Sequence, residues 1–179
     1  MIDLAVPAEK AFLIARSVAP LKVRGLEAVR ALPGRELERL LLGAAKLVDP
    51  AHGFSGEEER DVRHFQKGLA KALTPELERT LRPLLEEIWR GRAALPVEDL
   101  KRGVQLTASR CGLLAAGGVW PAARAIVKTN VALRGRIPER TEDVVREFKE
   151  VGELRDLLSF SVSEGYLETR RALGLDERK

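Results

Sequence analysis

The 179-residue chain has one cysteine, one methionine, one tyrosine and two histidines, and aromatic residues make up only 4% of it. The lone Cys111 has no partner for an internal bridge, which excludes a disulfide scaffold and an all-cysteine metal site and fits a reducing, cytoplasmic compartment. Two histidines, His52 and His64, are fewer ligands than a zinc centre needs, even with Asp61 in helical register with the second. No run approaches the roughly 18 apolar residues that span a bilayer, so no membrane insertion is expected. Asp3 and Glu9 sit where a secretory leader would be basic and then apolar. Gly and Pro are scattered rather than clustered, which excludes low-complexity and disordered classes.

What is present is a chain 45% hydrophobic and 32% charged, enough to bury one sizeable core. A single domain over 1–179 is the expectation. The net charge of +4 is unevenly spread. From Lys101 to Arg140 eight basic residues meet one acid, Glu139, whereas Glu57, Glu58, Glu59 and Asp61 form an acidic cluster.

Apolar residues recur at three- and four-residue spacing almost everywhere, and no stretch alternates with period two. The fold class is therefore all-α, an irregular bundle of about eight to ten helices. A first helix starts near Pro7 or Ala8, carries Phe12, Ala15 and Ala19, and is expected to stop at Pro20. A short second element around Leu26 and Val29 is broken by Pro33-Gly34. A third, striped by Leu37, Leu40, Leu41, Ala44 and Val48, ends at Asp49-Pro50. Ser55 and Glu58 have capping-box spacing ahead of Val62, Phe65, Leu69 and Leu73. Thr74 and Pro75 open a fifth helix lined by Leu77, Leu81, Leu84, Leu85 and Ile88 and kinked by Pro83. A long sixth runs from Pro96 to Ala116 and ends at Gly117-Gly118, and a seventh spans about Pro121 to Leu133. Thr141 caps an eighth with Val144, Val145, Phe148 and Val151. Leu154, Leu157, Leu158 and Val162 follow, and Ser163 opens a last helix that stops at Gly174, with Tyr166 and Leu173 packed inward.

The most informative segment is Gln105-Leu106-Thr107-Ala108-Ser109-Arg110-Cys111-Gly112-Leu113-Leu114, inside the sixth helix. It resembles the helix of membrane-associated zinc metallopeptidases and their bacterial relatives that carries Glu-x-x-Ala-Asp-Arg-x-Gly. In that family the Glu is the third zinc ligand and the Asp lies behind it. Here Gln105 and Ser109 hold those positions. The family also needs His-Glu-x-x-His upstream, because two imidazoles one turn apart reach one metal while the carboxylate acts as general base. If the first helix corresponds, Arg16, Ser17 and Pro20 stand in those places; if the third does, Gly43, Ala44 and Leu47 do. Either way an amide is a poor zinc ligand and Arg16 would repel the metal, so the resemblance implies lost zinc chemistry, no enzyme activity and no cofactor.

The chain further resembles the helical domain at the C-terminal end of large bacterial tetratricopeptide-repeat proteins, itself similar to a degenerate relative of those peptidases. Ala11-Phe12-Leu13, Glu36-Leu37 through Leu47-Val48-Asp49-Pro50, Leu157-Leu158-Ser159-Phe160-Ser161-Val162-Ser163-Glu164-Gly165-Tyr166 and Arg170-Arg171-Ala172-Leu173-Gly174 carry that likeness. It implies a scaffold that binds other proteins. No repeat array lies in these residues, so the domain is either excised from a longer chain or free-standing, and the first helix beginning almost at Met1 favours the former.

Sharper chemistry competes with plainer readings. Cys111, with no histidine near it in sequence, reads as a core filler rather than a nucleophile. Ser109 and Thr107 read as hydroxyls bonding back along their helix. Trp89 and Trp120 read as core residues, with Trp120, at a helix junction, the better interface anchor. The basic residues Arg124, Lys128, Arg134, Arg136 and Arg140 form a candidate surface for an acidic partner or nucleic acid, although no aromatics interleave them. The expectation is thus a non-catalytic protein-interaction or scaffolding module. Its alternatives are nucleic-acid or acidic-partner binding through 101–140, and a hydrolase with an unrecognised site.

Overall fold

The computed structural model describes residues 6–23, 26–48, 57–89, 96–130, 133, 146 and 148–175. Among these the fold is all-α, with no strand and with nine helices described end to end, α1 (Pro7–Lys22), α2 (Leu26–Ala31), α3 (Gly34–Val48), α4 (Glu57–Ala72), α5 (Pro75–Trp89), α6 (Val97–Ala116), α7 (Val119–Thr129), α8 (Gly152–Ser161) and α9 (Glu164–Ala172), besides helical residues at 146 and 148–150. No described helix is long and apolar enough to cross a membrane. Contacts divide the chain into two compact units, one of residues 1–27 and 102–179, the other of residues 28–101.

Helix ends follow local chemistry where that chemistry is strong. The Thr74 hydroxyl accepts from the Leu77 amide at 3.2 Å, and Pro75 fills the first helical position. Ser163 accepts from the Tyr166 amide at 3.3 Å, satisfying one orphan donor of α9. Gly117 (φ 74°) and Gly174 (φ 64°) adopt the left-handed conformation that ends α6 and α9, which a side chain would strain.

Pro20 does not stop α1, which continues to Lys22. A proline near the helix end removes only the bond that its own amide would make to the Arg16 carbonyl, the amides of Leu21 and Lys22 remain able to bond back along the helix, and the Pro20 ring is itself buried. Leu173 is 59% exposed rather than packed inward, because it lies past the end of α9 at the cap. In α5 Leu85 is buried while Leu77 and Leu84 face outward, so its apolar stripe is only partly used. The capping box at Ser55, the segment around Thr141 to Val145, and His52 lie outside the described residues.

In the larger unit the core joins Phe12 of α1, Leu113 of α6, Ala122, Ala123, Ala125, Ile126 and Val127 of α7, Leu133 beyond the end of α7, Leu154 and Leu157 of α8, and Tyr166 of α9. Small residues bring the helices close. A Cβ on Gly112 would lie 2.7 Å from the Phe12 ring, so α6 meets α1 only because that position is glycine. Alanines on α7 do the same for its packing on α1. Phe160 meets Tyr166 edge-on at 5.5 Å, fastening α8 to α9.

In the smaller unit α3 and α4 form a helical hairpin around Leu37, Ala45 and Val62. Gly43 is the close-approach point, where a Cβ would sit 3.0 Å from the Gln66 nitrogen. The pairs Lys46–Glu59 (3.3 Å) and Arg39–Asp61 (2.7 Å) flank the hairpin. Lys101 at the start of α6 donates to the Leu32 carbonyl at 2.7 Å.

Candidate functional site

The polar interior of the larger unit is built on one face of α1. Glu9, Phe12 and Arg16 follow one another at helical spacing, so the same face that inserts Phe12 into the core carries a carboxylate one turn before it and a guanidinium one turn after it.

Glu9 is fully buried, and both cations that reach it come from α7. Lys128 donates to its Oε2 at 2.6 Å, while Arg124 Nε approaches Oε1 to 3.0 Å as an ion pair without an aligned hydrogen bond. Arg124 and Lys128 are one turn apart, so they point the same way. Their stems cross from the surface to a carboxylate that also lies in the first turn of α1, where the helix dipole favours negative charge.

At the other end of the face, Glu153 in the first turn of α8 gathers three donors. Arg16 Nη2 donates to Oε1 at 2.7 Å, the Ser109 hydroxyl to the same oxygen at 2.5 Å, and Gln105 Nε2 to Oε2 at 3.0 Å. Ser109 is fully buried. One turn of α8 further on, Asp156 takes a two-pronged bond from Arg110, at 3.0 Å to Nε and 2.6 Å to Nη2, and the guanidinium also lies 5.1 Å from the Phe160 ring centre. The hydrogen bond to Asp156 pushes the Arg110 pKa above its usual value.

Three of the five positions singled out from the metallopeptidase resemblance therefore meet: Arg16, Gln105 and Ser109 converge on one carboxylate. Ser17 faces solvent and Pro20 is buried apart from that cluster's bonds. The chemistry available is limited. Arg16 offers donors only, and three of the roughly four lone-pair sites of the Glu153 carboxylate accept from protein groups. Among the described residues no three His, Cys, Asp or Glu side chains are grouped so as to hold a metal ion.

The candidate basic surface has a different look from its sequence. Arg124 and Lys128 are committed to Glu9, Arg110 to Asp156 and Lys101 to a carbonyl. Arg134, Arg136 and Arg140 lie outside the described residues. Trp120 is 46% exposed at the start of α7, not a core residue, while the Trp89 side chain is not among those described. Cys111 is half-buried, and Ser109 spends its hydroxyl on Glu153 rather than on its own helix. His64 is exposed beside Phe65, and Asp61, its neighbour in sequence, pairs with Arg39.

Sequence reasoning missed Glu9, Glu153 and Asp156, the acids that organise the site. A signal existed for two of them. Glu9 stands three residues before Phe12 and Glu153 four before Leu157, each on the apolar side of its helix, where an acid has to find a partner. No family model matches the chain, and neither a curated protein nor a solved structure is significantly similar to it.

Proposed function

We infer that the chain is a non-catalytic protein-interaction or scaffolding module of the cytoplasm, built on a degenerate form of the metallopeptidase-like helical domain found with tetratricopeptide repeats in bacteria. The supporting observation is the convergence of Arg16, Gln105 and Ser109 on Glu153. On this reading the guanidinium of Arg16 supplies the positive charge that a metal supplies in an active relative, and it holds α1, α6 and α8 together instead of activating water. A hydroxyl donating to a carboxylate already paired with arginine is an orienting contact, not a primed nucleophile, since no histidine or lysine base reaches Ser109 among the described residues. Trp120, exposed at the start of α7, is the best-placed anchor for a partner.

Metal analysis and a binding assay test this together. Protein purified without chelator is expected to contain no stoichiometric zinc and to leave casein and mixed peptide substrates uncut. Trp120→Ala is expected to keep the helical circular-dichroism signal while losing the protein captured by photo-crosslinking in the native cell. Stoichiometric zinc released by Glu153→Gln, or hydrolysis abolished by Ser109→Ala in a folded protein, overturns the reading.

A further inference from the structure

Helix α1 is apolar on two opposite sides, although burying it in the larger unit uses only one. Phe12 fills the core and Glu9 and Arg16 point inward beside it, while Ile14, Val18 and Leu21 are 63%, 41% and 64% exposed. An apolar stripe on a helix normally faces a packing neighbour. The exposed three are spaced four and then three residues apart, the d-a-d step of a heptad, so they form a straight narrow seam of the kind a second helix packs into.

The charges beside that seam have one sign. In heptad register Lys10 and Ser17 occupy g positions and Ala15 and Lys22 occupy e positions. Neither lysine pairs with an acid among the described residues. The single acid of α1, Glu9, is turned away into the core. Residues at e and g choose the partner of a helical seam. Two copies meeting in either direction would gain no opposite-charge pair, because the e and g positions of α1 hold only Lys10, Lys22, Ser17 and alanines. An anionic bilayer is the weaker match as well. The seam is only one residue wide and carries no Trp or Phe, which interfacial helices use to seat themselves.

We propose that the outer face of α1, with Ile14, Val18 and Leu21 as its seam and Lys10 and Lys22 as its flanks, is a docking surface for an acidic amphipathic helix of a partner protein. The proposal rests on the reading of the chain as an interaction module only in taking a protein as the occupant. It uses none of the Glu153 cluster, so zinc binding or hydrolysis could sink that reading and leave this surface standing.

The probe is a fluorescein-labelled three-heptad peptide with Leu at a and d and Glu at e and g, against a control with Lys at e and g. Fluorescence anisotropy with the full chain at low salt is expected to show saturable binding of the Glu peptide and about tenfold weaker binding of the Lys peptide. Val18→Asp should weaken the Glu peptide about tenfold or more. The paired change Lys10→Glu with Lys22→Glu leaves the seam intact and should reverse the preference toward the Lys peptide. Circular dichroism checks that each variant is folded. Equal affinity for both peptides, binding of neither, or a preference that survives the charge reversal overturns the proposal. So does sedimentation showing self-association that Val18→Asp abolishes, or α1-dependent binding to phosphatidylserine vesicles in place of the peptide.

Discussion

The two units of the chain use charge in opposite ways. In the larger unit, ion pairs join residues very far apart in sequence, Arg16 to Glu153 across 137 positions and Lys128 to Glu9 across 119, with the Glu9 carboxylate fully buried and that of Glu153 largely so. In the smaller unit the pairs lie nearer in sequence and their carboxylates are open to water: Arg63–Glu59 and Arg82–Glu78 are one turn apart, Lys46–Glu59 spans only 13 positions, and Arg39–Asp61 joins the same two adjacent helices. A buried pair is often no stronger than the apolar residues that could replace it, but removing one member leaves a charge without a partner. The larger unit therefore has its helix arrangement specified by charges that must meet, whereas the smaller has it specified by apolar fit at Gly43, Ala45 and Val62, with charge as trim.

The sharpest way to break the comparison is Glu9→Ala. It deletes the only carboxylate facing Arg124 and Lys128 among the described residues and opens a gap beside Phe12. We expect a loss of about 3 kcal/mol, at the lower end for a buried pair because both cations reach solvent. Urea unfolding read by circular dichroism measures it, and hydrogen exchange should place the lost protection in α1 and α7. Replacing the whole cluster together, Glu9→Leu with Arg124→Leu and Lys128→Leu, should recover much of that loss. A triple variant no better than Glu9→Ala would mean that the charges stabilise the unit outright rather than specifying it.

Glu153→Gln comes next. The amide keeps the shape but loses the charge that Arg16 faces, and its NH2 group must point at donors, so about 2 kcal/mol is expected from the same urea measurement. The two close-approach glycines then compare the units directly. Gly112→Ala drives a methyl to 2.7 Å from a fully buried Phe12 ring and 3.0 Å from the Phe12 carbonyl, which should cost about 1–2 kcal/mol after the helix-propensity gain of alanine. Gly43→Ala meets the Gln66 backbone nitrogen at 3.0 Å and the Phe65 Cβ at 3.1 Å, so α4 has to give by only a few tenths of an ångström, and after the helix-propensity gain of alanine the loss should be about 0.5 kcal/mol. Equal losses at both sites would erase the distinction between a tightly keyed unit and a more yielding one.

What could be read from sequence was what is decided locally. Thr74-Pro75, Gly117-Gly118 and Ser163 with Gly174 mark helix ends because caps and left-handed glycines act over a few residues. Apolar period reveals the all-α class and puts Phe12, Val62 and Leu157 inside. The polar cluster was half legible. Arg16, Gln105 and Ser109 stand out by resemblance, but their common partner Glu153 is 44 or more positions away from each, and its place on the apolar side of α8 says that it needs a partner without saying which. The basic stretch misled for the same reason, since counting charges along the chain does not show that Arg124 and Lys128 face Glu9. Trp120 and Leu173 were misplaced because hydrophobicity predicts burial only where a helix face has a neighbour.

The smallest effect belongs to Glu59, and it tests the wet side of the comparison. Hydrogen bonds from Arg63 and then Lys46, with their charges, hold its carboxyl below the ordinary range. A carboxylate whose pKa is lower folded than unfolded contributes stability above the unfolded value and loses it as pH falls through the folded one. The contribution of Glu59 is thus fully present at neutral pH and should fade as the solution is acidified below the ordinary glutamate range. Because the group is open to water, added salt should shrink it, and Glu59→Gln should flatten this part of the acid limb by the same small amount that it lowers stability at neutral pH. Urea midpoints taken from neutral to acid pH at low and high salt read this out. A loss at neutral pH as large as that of Glu153→Gln, unmoved by salt, would mean that the smaller unit is keyed by charge just as the larger one is.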